Sequence, residues 1–388
     1  MGEKSGGAVR HAVVCAALSA AGGVAAAPAA SPPSKEVRPA RTQVLALGSK
    51  VADWQLAHMD RFDYTRTHLH STVEPLGWIQ GTLFTGLAIF AERSGEPRFS
   101  KAVRDHGIAQ TWQLAPRLYH ADDHVIGQAW LSLHKRDRNP AEIAPLRARF
   151  DAILQSPPTN NLVFEDNVGE PPCQTRWCWS DALFMGPAAW TELTLATGDP
   201  RYAAYGDQEF WVATDYLFDR KEGLFLRDSR YFDRRDAQGR KIFWSRGNGW
   251  VVAGLVNVLK SLPAGHPSRP RYEALLQQMA ATLVRVQKPD GFWSPSLLAP
   301  EGSPPESSGT AFFVYGLAYG VNTGLLKGPE YRKATERGWS ALASSVLPDG
   351  KLGWVQQVGY APEDVLPEDT QLYGVGAFLL AASEVADL

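Results

Sequence analysis

Four times the chain writes proline, then arginine or glutamate, then an aromatic residue: Pro97-Arg98-Phe99, Pro200-Arg201-Tyr202, Pro270-Arg271-Tyr272 and Pro329-Glu330-Tyr331. Each copy opens an amphipathic helical run. Proline suits the first helical position, because its fixed φ matches the turn and its missing donor would have been unpaired anyway. The last three copies stand roughly 60 to 70 residues apart, a period that exceeds one helix and fits one helix-turn-helix hairpin, so the repeat unit is a pair of helices.

Between these runs lie six segments of another kind, at 77–90, 122–133, 180–195, 247–259, 307–321 and 371–382. Each begins with a polar cluster and continues in apolar and small residues. Helices that are apolar on most faces belong in an interior. The proline-led runs, with further runs at 44–59 and 141–155, read as their outer partners. The expectation is an all-α fold in which six inner and six outer helices close into a ring, with the starts of the inner helices gathered around a cavity at one end. An open helical solenoid accounts for the repeat as well.

The ring runs without a composition break from residue 44 to 388, so it reads as one domain. With 39 basic and 41 acidic residues the net charge is −2, and no basic stripe stands out. That balance argues against a nucleic-acid partner. The first 30 residues differ from the rest. Lys4 and Arg10 precede an Ala-rich apolar stretch, and a Pro/Ser linker over 31–43 follows. This pattern predicts a secretory signal peptide over 1–30, a periplasmic or secreted mature protein, and no membrane association once the peptide is removed. Cys15 falls in that peptide. Cys173 and Cys178 remain, five residues apart, and an oxidising compartment permits a local disulfide between them.

Chemistry-bearing residues cluster at the polar starts of the inner segments. His120-Ala121-Asp122-Asp123-His124 sets two carboxylates between two imidazoles. Capping, metal binding and acid/base catalysis all use such groups, but a cap needs only one carboxylate, and no further His or Cys cluster accompanies the pair to hold a metal. Trp177-Cys178-Trp179-Ser180-Asp181 places a carboxyl at a helix start behind two tryptophans that supply a pocket wall. Burial and a second carboxylate raise a carboxyl pKa by more than a helix end lowers it, so Asp181 reads as a general acid. Trp244-Ser245-Arg246-Gly247-Asn248-Gly249-Trp250 offers Arg246 as a planar fork for a carboxylate among aromatic rings, with Asn248 between two glycines. Ser307-Ser308-Gly309-Thr310 supplies either caps or contacts to sugar hydroxyls. No Walker loop, dinucleotide fingerprint or nucleophile elbow appears at a strand-to-helix junction.

Taken together, 179–185, 244–250 and 307–312 resemble the motifs of glycoside hydrolase family 105, the unsaturated rhamnogalacturonyl and uronyl hydrolases, which are related to family 88. The likeness runs in consistent order over 78–382. It implies an (α/α)6 barrel and, without metal or organic cofactor, hydrolysis of oligosaccharides left by polysaccharide lyases. The terminal Δ4,5-unsaturated uronate is removed by protonation at C4 and addition of water at C5, unlike glycosidases that attack the anomeric carbon. Asp181 matches the family's catalytic aspartate and Asp123 its second carboxylate, with Asp122 one position away. The resemblance and the local setting together nominate Asp122, His124, Trp177, Trp179, Arg227, Trp244, Arg246, Asn248, Trp250 and Ser308 for substrate binding. At 226–230, where some members carry histidine, this chain has Arg227 and Arg230. Two other readings stand beside this one: an inverting glycosidase using Asp123 and Asp181 on saturated sugars, and a carbohydrate-binding protein without turnover.

Overall fold

The computed structural model describes residues 40–67, 69–166 and 169–388. The predicted signal peptide and most of the linker lie outside those residues. Fourteen helices are present among them: α1 (Arg41–Ala57), α2 (Leu69–Val73), α3 (Trp78–Ser94), α4 (Pro97–Ala109), α5 (Ile126–Asp137), α6 (Ala144–Gln155), α7 (Ala182–Met185), α8 (Pro187–Thr197), α9 (Pro200–Leu217), α10 (Ser245–Ser261), α11 (Arg269–Val286), α12 (Ser307–Asn322), α13 (Pro329–Ser344) and α14 (Leu372–Val385). A two-residue hairpin pairs β1 (Phe218–Asp219) with β2 (Leu224–Phe225).

The proline rule works through local geometry. Pro97, Pro200 and Pro329 open α4, α9 and α13, and Pro270 is the second residue of α11. At α9 the preceding Asp199 also caps, its carboxylate accepting from the Arg201 N–H at 3.0 Å. These helices bury one stripe each. In α4 only Phe99, Val103 and Gly107 are buried, at four-residue spacing. The inner helices are covered all round: every residue of α14 is buried, and every residue of α10 except Lys260.

Packing closes the circle. Contacts run from α3 to α5, to α8, to α10 with α7, to α12, to α14, and from α14 back to α3, while α1, α4, α9, α11 and α13 lie on the outside of this ring. The architecture is therefore the (α/α)6 barrel rather than an open solenoid. The seam between α14 and α3 is drawn tight by Gly86 and Gly376. A Cβ on Gly86 would overlap the Gly376 carbonyl, and one on Gly376 would overlap that of Thr82, so backbone touches backbone there.

Three boundaries differ from the sequence reading. The barrel begins at Arg41, inside the span assigned to the linker, because the Arg41 guanidinium reaches the Ala386 carbonyl and pairs with Asp387. The third inner helix is split at Gly186, since Pro187 cannot continue α7 and instead starts α8. Asp122 and Asp123 precede α5 in a 3-10 turn, Ala121–Asp123.

Candidate active site

One end of the barrel holds an open cavity of about 520 Å³, lined by Trp78, Asp122, Trp179, Asp181, Met185 and Arg227, with Trp244, Arg246 and the loop residues Val358, Gly359, Tyr360 and Glu363 completing the wall. Its size suits a small ligand. Asp181 stands immediately before α7 but does not cap it. Its Oδ2 instead accepts from Ser180 Oγ at 2.9 Å and lies 3.9 Å from Arg227 Nε. With 13% of its side chain exposed, the carboxyl faces the cavity. Burial raises its pKa, against the opposing pull of Arg227, Ser180 and Arg246.

Arg227 is brought there by the backbone. The Ser180 N–H donates to the Arg227 carbonyl at 2.8 Å, and Asn248 grips β2 from below, its Oδ1 accepting from Phe225 N–H at 2.7 Å and its Nδ2 donating to Phe225 O at 3.0 Å. The guanidinium donates through Nη1 to Asp228 at 2.6 Å, while its buried Nε has no hydrogen-bond partner among the described residues.

Besides Glu363 on the loop, one more carboxyl lines the cavity, Asp122. Burial, with Asp123 and Asp181 nearby, lifts its pKa to about 7 despite the pull of Arg117 and Arg227. Asp123 points elsewhere. It is fully buried, accepting from the Arg117 backbone N–H at 2.6 Å and from the Arg117 guanidinium at 3.0 Å through Nε. The nomination of Asp123 is thus corrected: its neighbour faces the cavity, because Arg117 takes Asp123 into a structural ion pair.

Five nominated binding residues are likewise structural. His124 is buried, donates through Nε2 to the Leu118 carbonyl at 3.0 Å, and is pushed down to about 3 by burial, so it is neutral. Trp177 packs behind α7 against Gly186 and Tyr205. Asn248 holds β2. Trp250 lies below the cavity floor, edge-on to Trp78 at 6.2 Å and tilted against Phe312 at 4.4 Å. Ser308 donates to Glu306, and Glu306, not the serines, caps α12 by accepting from the Ser308 and Gly309 N–H groups at 2.8 and 2.7 Å.

Arg246 reaches the cavity but not as a free fork. Its Nη1 and Nη2 donate to the Gln356 and Gln357 carbonyls, each at 2.9 Å, and its guanidinium sits between the rings of Trp244 (4.4 Å) and Tyr373 (4.8 Å). It pins the loop that carries Val358–Glu363, and Trp244 Nε1 adds a bond to Gln356 Oε1 at 2.7 Å. Sequence reading missed Trp78, Met185 and that loop. Trp78 had a signal, as an aromatic residue at the polar start of an inner segment. The loop had none, lacking any period. Among the described residues no group of three His, Cys, Asp or Glu side chains converges to hold a metal ion. Cys173 and Cys178 are joined in a disulfide just before Trp179.

The profile described as Glycosyl Hydrolase Family 88 matches residues 48–388. The chain belongs to that family. A relative called unsaturated 3S-rhamnoglycuronyl hydrolase, from Alteromonas sp. (strain LOR), is 42% identical over 349 residues, covering 87% of this chain and 84% of its own. A protein of the same name from Formosa agariphila is 32% identical, covering 87% and 89%. Among solved structures, a glycosyl hydrolase family 88 protein from Bacteroides vulgatus superposes with a TM-score of 0.78 at 29% identity, covering 90% of this chain and all of the other. This family 88 chain is accordingly a glycoside hydrolase.

Proposed function

We propose that the enzyme removes the non-reducing-end Δ4,5-unsaturated uronate from lyase-generated oligosaccharides by hydrating the C4=C5 bond. The observation that carries this reading is the Asp181 carboxyl, held in a tryptophan-walled cavity with burial favouring its protonated form, 3.9 Å from an arginine nitrogen that has no hydrogen-bond partner among the described residues. The two relatives named as 3S-rhamnoglycuronyl hydrolases suggest that the uronate is joined to rhamnose.

The substrate alkene is an enol ether conjugated to a carboxylate. Asp181 gives its proton to C4, and positive charge spreads over C5 and the ring oxygen. Water adds its oxygen to C5 and returns a proton to the Asp181 carboxylate, restoring the acid. The hemiketal at C5 then opens: the ring C–O bond breaks, a ketone forms at C5, and the hemiacetal left at C1 expels the neighbouring sugar as an alcohol. One water is consumed and one carboxyl serves as acid and base.

Arg227 is the group for the uronate carboxylate. Unoccupied, it pulls the Asp181 pKa down. A bound carboxylate offsets that pull, so substrate strengthens the hold on the proton it is about to receive. Asp122 takes the second-carboxyl role at the ring hydroxyls, and Trp179 and Trp78 exclude water from the sugar's faces. Export to an oxidising compartment fits the formed disulfide, which cytosolic reductants would open.

Hydration destroys the conjugated chromophore, so turnover is read as loss of ultraviolet absorbance. Asp181→Asn should lower the rate by at least about a thousandfold while oligosaccharide binding persists. Unchanged absorbance with wild-type protein across pectin, ulvan and glycosaminoglycan digests refutes the proposal. Turnover by Asp181→Asn at the wild-type rate refutes the role given to this residue.

A further inference from the structure

An enzyme that takes a terminal sugar into a closed-ended cavity must let the rest of the chain leave over its rim. A second recess, of about 710 Å³, lies beside the first; its lining includes Tyr231, Arg234, Arg240, Ile242, Ser296 and Pro362. Two segments wall both spaces. Trp244 faces the cavity and Ile242 the groove, on a stretch that bridges Ser296. Tyr360 and Glu363 face the cavity, whereas Ala361 and Pro362 face the groove. The crest between them is fixed by Tyr231 Oη, which donates to the Tyr360 carbonyl at 2.9 Å, and it presents the Tyr360 ring half exposed, at 51%.

The groove's charges are uneven. Arg240 is matched by Asp236 (2.7 Å) and Glu301 (3.0 Å). Arg234 is exposed, lies over the Tyr231 ring at 5.0 Å, and has no carboxylate within ion-pair distance among the described residues. Stacking on a buried ring pre-orients the guanidinium, so little freedom is lost when it binds an anion.

We propose that this groove binds the reducing-side sugars of the oligosaccharide, with Tyr360 as the crest over which the chain passes and Arg234 as the site for an anionic substituent, a sulfate ester or an internal uronate carboxylate. The proposal rests on the oligosaccharide hydrolase reading above and extends it past the terminal sugar.

The test compares an unsaturated disaccharide with the tetrasaccharide from the same digest, using wild type and Arg234→Ala. Wild type should show a lower KM for the tetrasaccharide. Arg234→Ala should raise that KM by about fivefold, as loss of one partly exposed charge-assisted bond would, and leave disaccharide kinetics unchanged. A desulfated tetrasaccharide separates the sources: if the Arg234 effect disappears the anion is sulfate, and if it persists the anion is carboxylate. Equal KM values for both lengths in wild type, or an equal effect of Arg234→Ala on both lengths, overturns the groove. Should no chain of any length be turned over, the hydrolase reading fails separately. Calorimetric titration of the tetrasaccharide into both proteins then decides the groove, and equal affinities overturn it.

Discussion

Replacing Asp122 by asparagine should make the protein more stable and less active, and the stability gain should depend on pH in a defined way. In the unfolded chain this carboxyl titrates near 3.8, whereas in the folded cavity it titrates at about 7. Below about pH 4 it carries its proton in both states and contributes no pH dependence. Between about pH 4 and 7 the unfolded chain has lost the proton and the folded one keeps it, so folding stability falls as pH rises through that window. Above about 7 both forms are charged and the cost of holding a buried carboxylate is constant. Moving the group from 3.8 to about 7 corresponds to roughly 4 kcal/mol. The side chain retains 18% exposure, so water trims this to about 2–4 kcal/mol. Asparagine keeps the shape without the charge. Urea unfolding of wild type and Asp122→Asn at pH 4.5, 5.5, 6.5 and 8 should show a stability gap that widens with pH and levels off above 7, while the absorbance assay shows reduced turnover. A gap that stays constant from pH 4.5 to 8 would refute the reasoning, since the buried charge would then cost nothing.

Three further perturbations bear on the scaffold. Arg246→Lys removes a two-pronged grip on the Gln356 and Gln357 carbonyls, so kcat/KM should drop by about a hundredfold and proteolysis near 357–363 should speed up; wild-type kinetics would contradict the anchoring role. Gly376→Ala should destabilise by about 2 kcal/mol or more in urea, because overlap with the Thr82 carbonyl outweighs the gain of about 1 kcal/mol in helix propensity; a stabilised variant would mean the seam is loose. Replacing Cys173 and Cys178 together by serine should cost about 2 kcal/mol and lower turnover through Trp179 and Asp181, and an unaltered urea midpoint would count against it.

The architecture was legible because it is repetitive. Proline at a helix start and apolar residues on every face of a buried helix are local signals, and they located α4, α9, α10, α12, α13 and α14 within a few residues. The break between α7 and α8 was also written, in Pro187, but an apolar run on both sides concealed it. Side-chain direction was harder. Asp122 and Asp123 are neighbours in a single 3-10 turn, so they point apart, and the folded position of Arg117, six residues before Asp123, decides which faces the cavity. Within the Gly-Asn-Gly and Ser-Ser motifs, Asn248 and Ser308 turned inward to hold backbone, as buried polar groups must. The 345–371 loop follows no period, so its contribution to the cavity wall required the folded structure.

The joint between α14 and α3 has a bearing on how the enzyme comes into being. Trp78 stands at the start of α3 and stacks on Tyr373, at the start of α14, with ring centroids 5.2 Å apart. A nascent chain exposes the first of these rings nearly three hundred residues before the second is synthesised. Until α14 emerges and docks, the earlier hairpins form an arc whose two end faces are bare hydrophobic surface, and the cavity floor has a missing side. Catalytic competence should therefore appear in one late step, together with burial of those faces, instead of accumulating hairpin by hairpin.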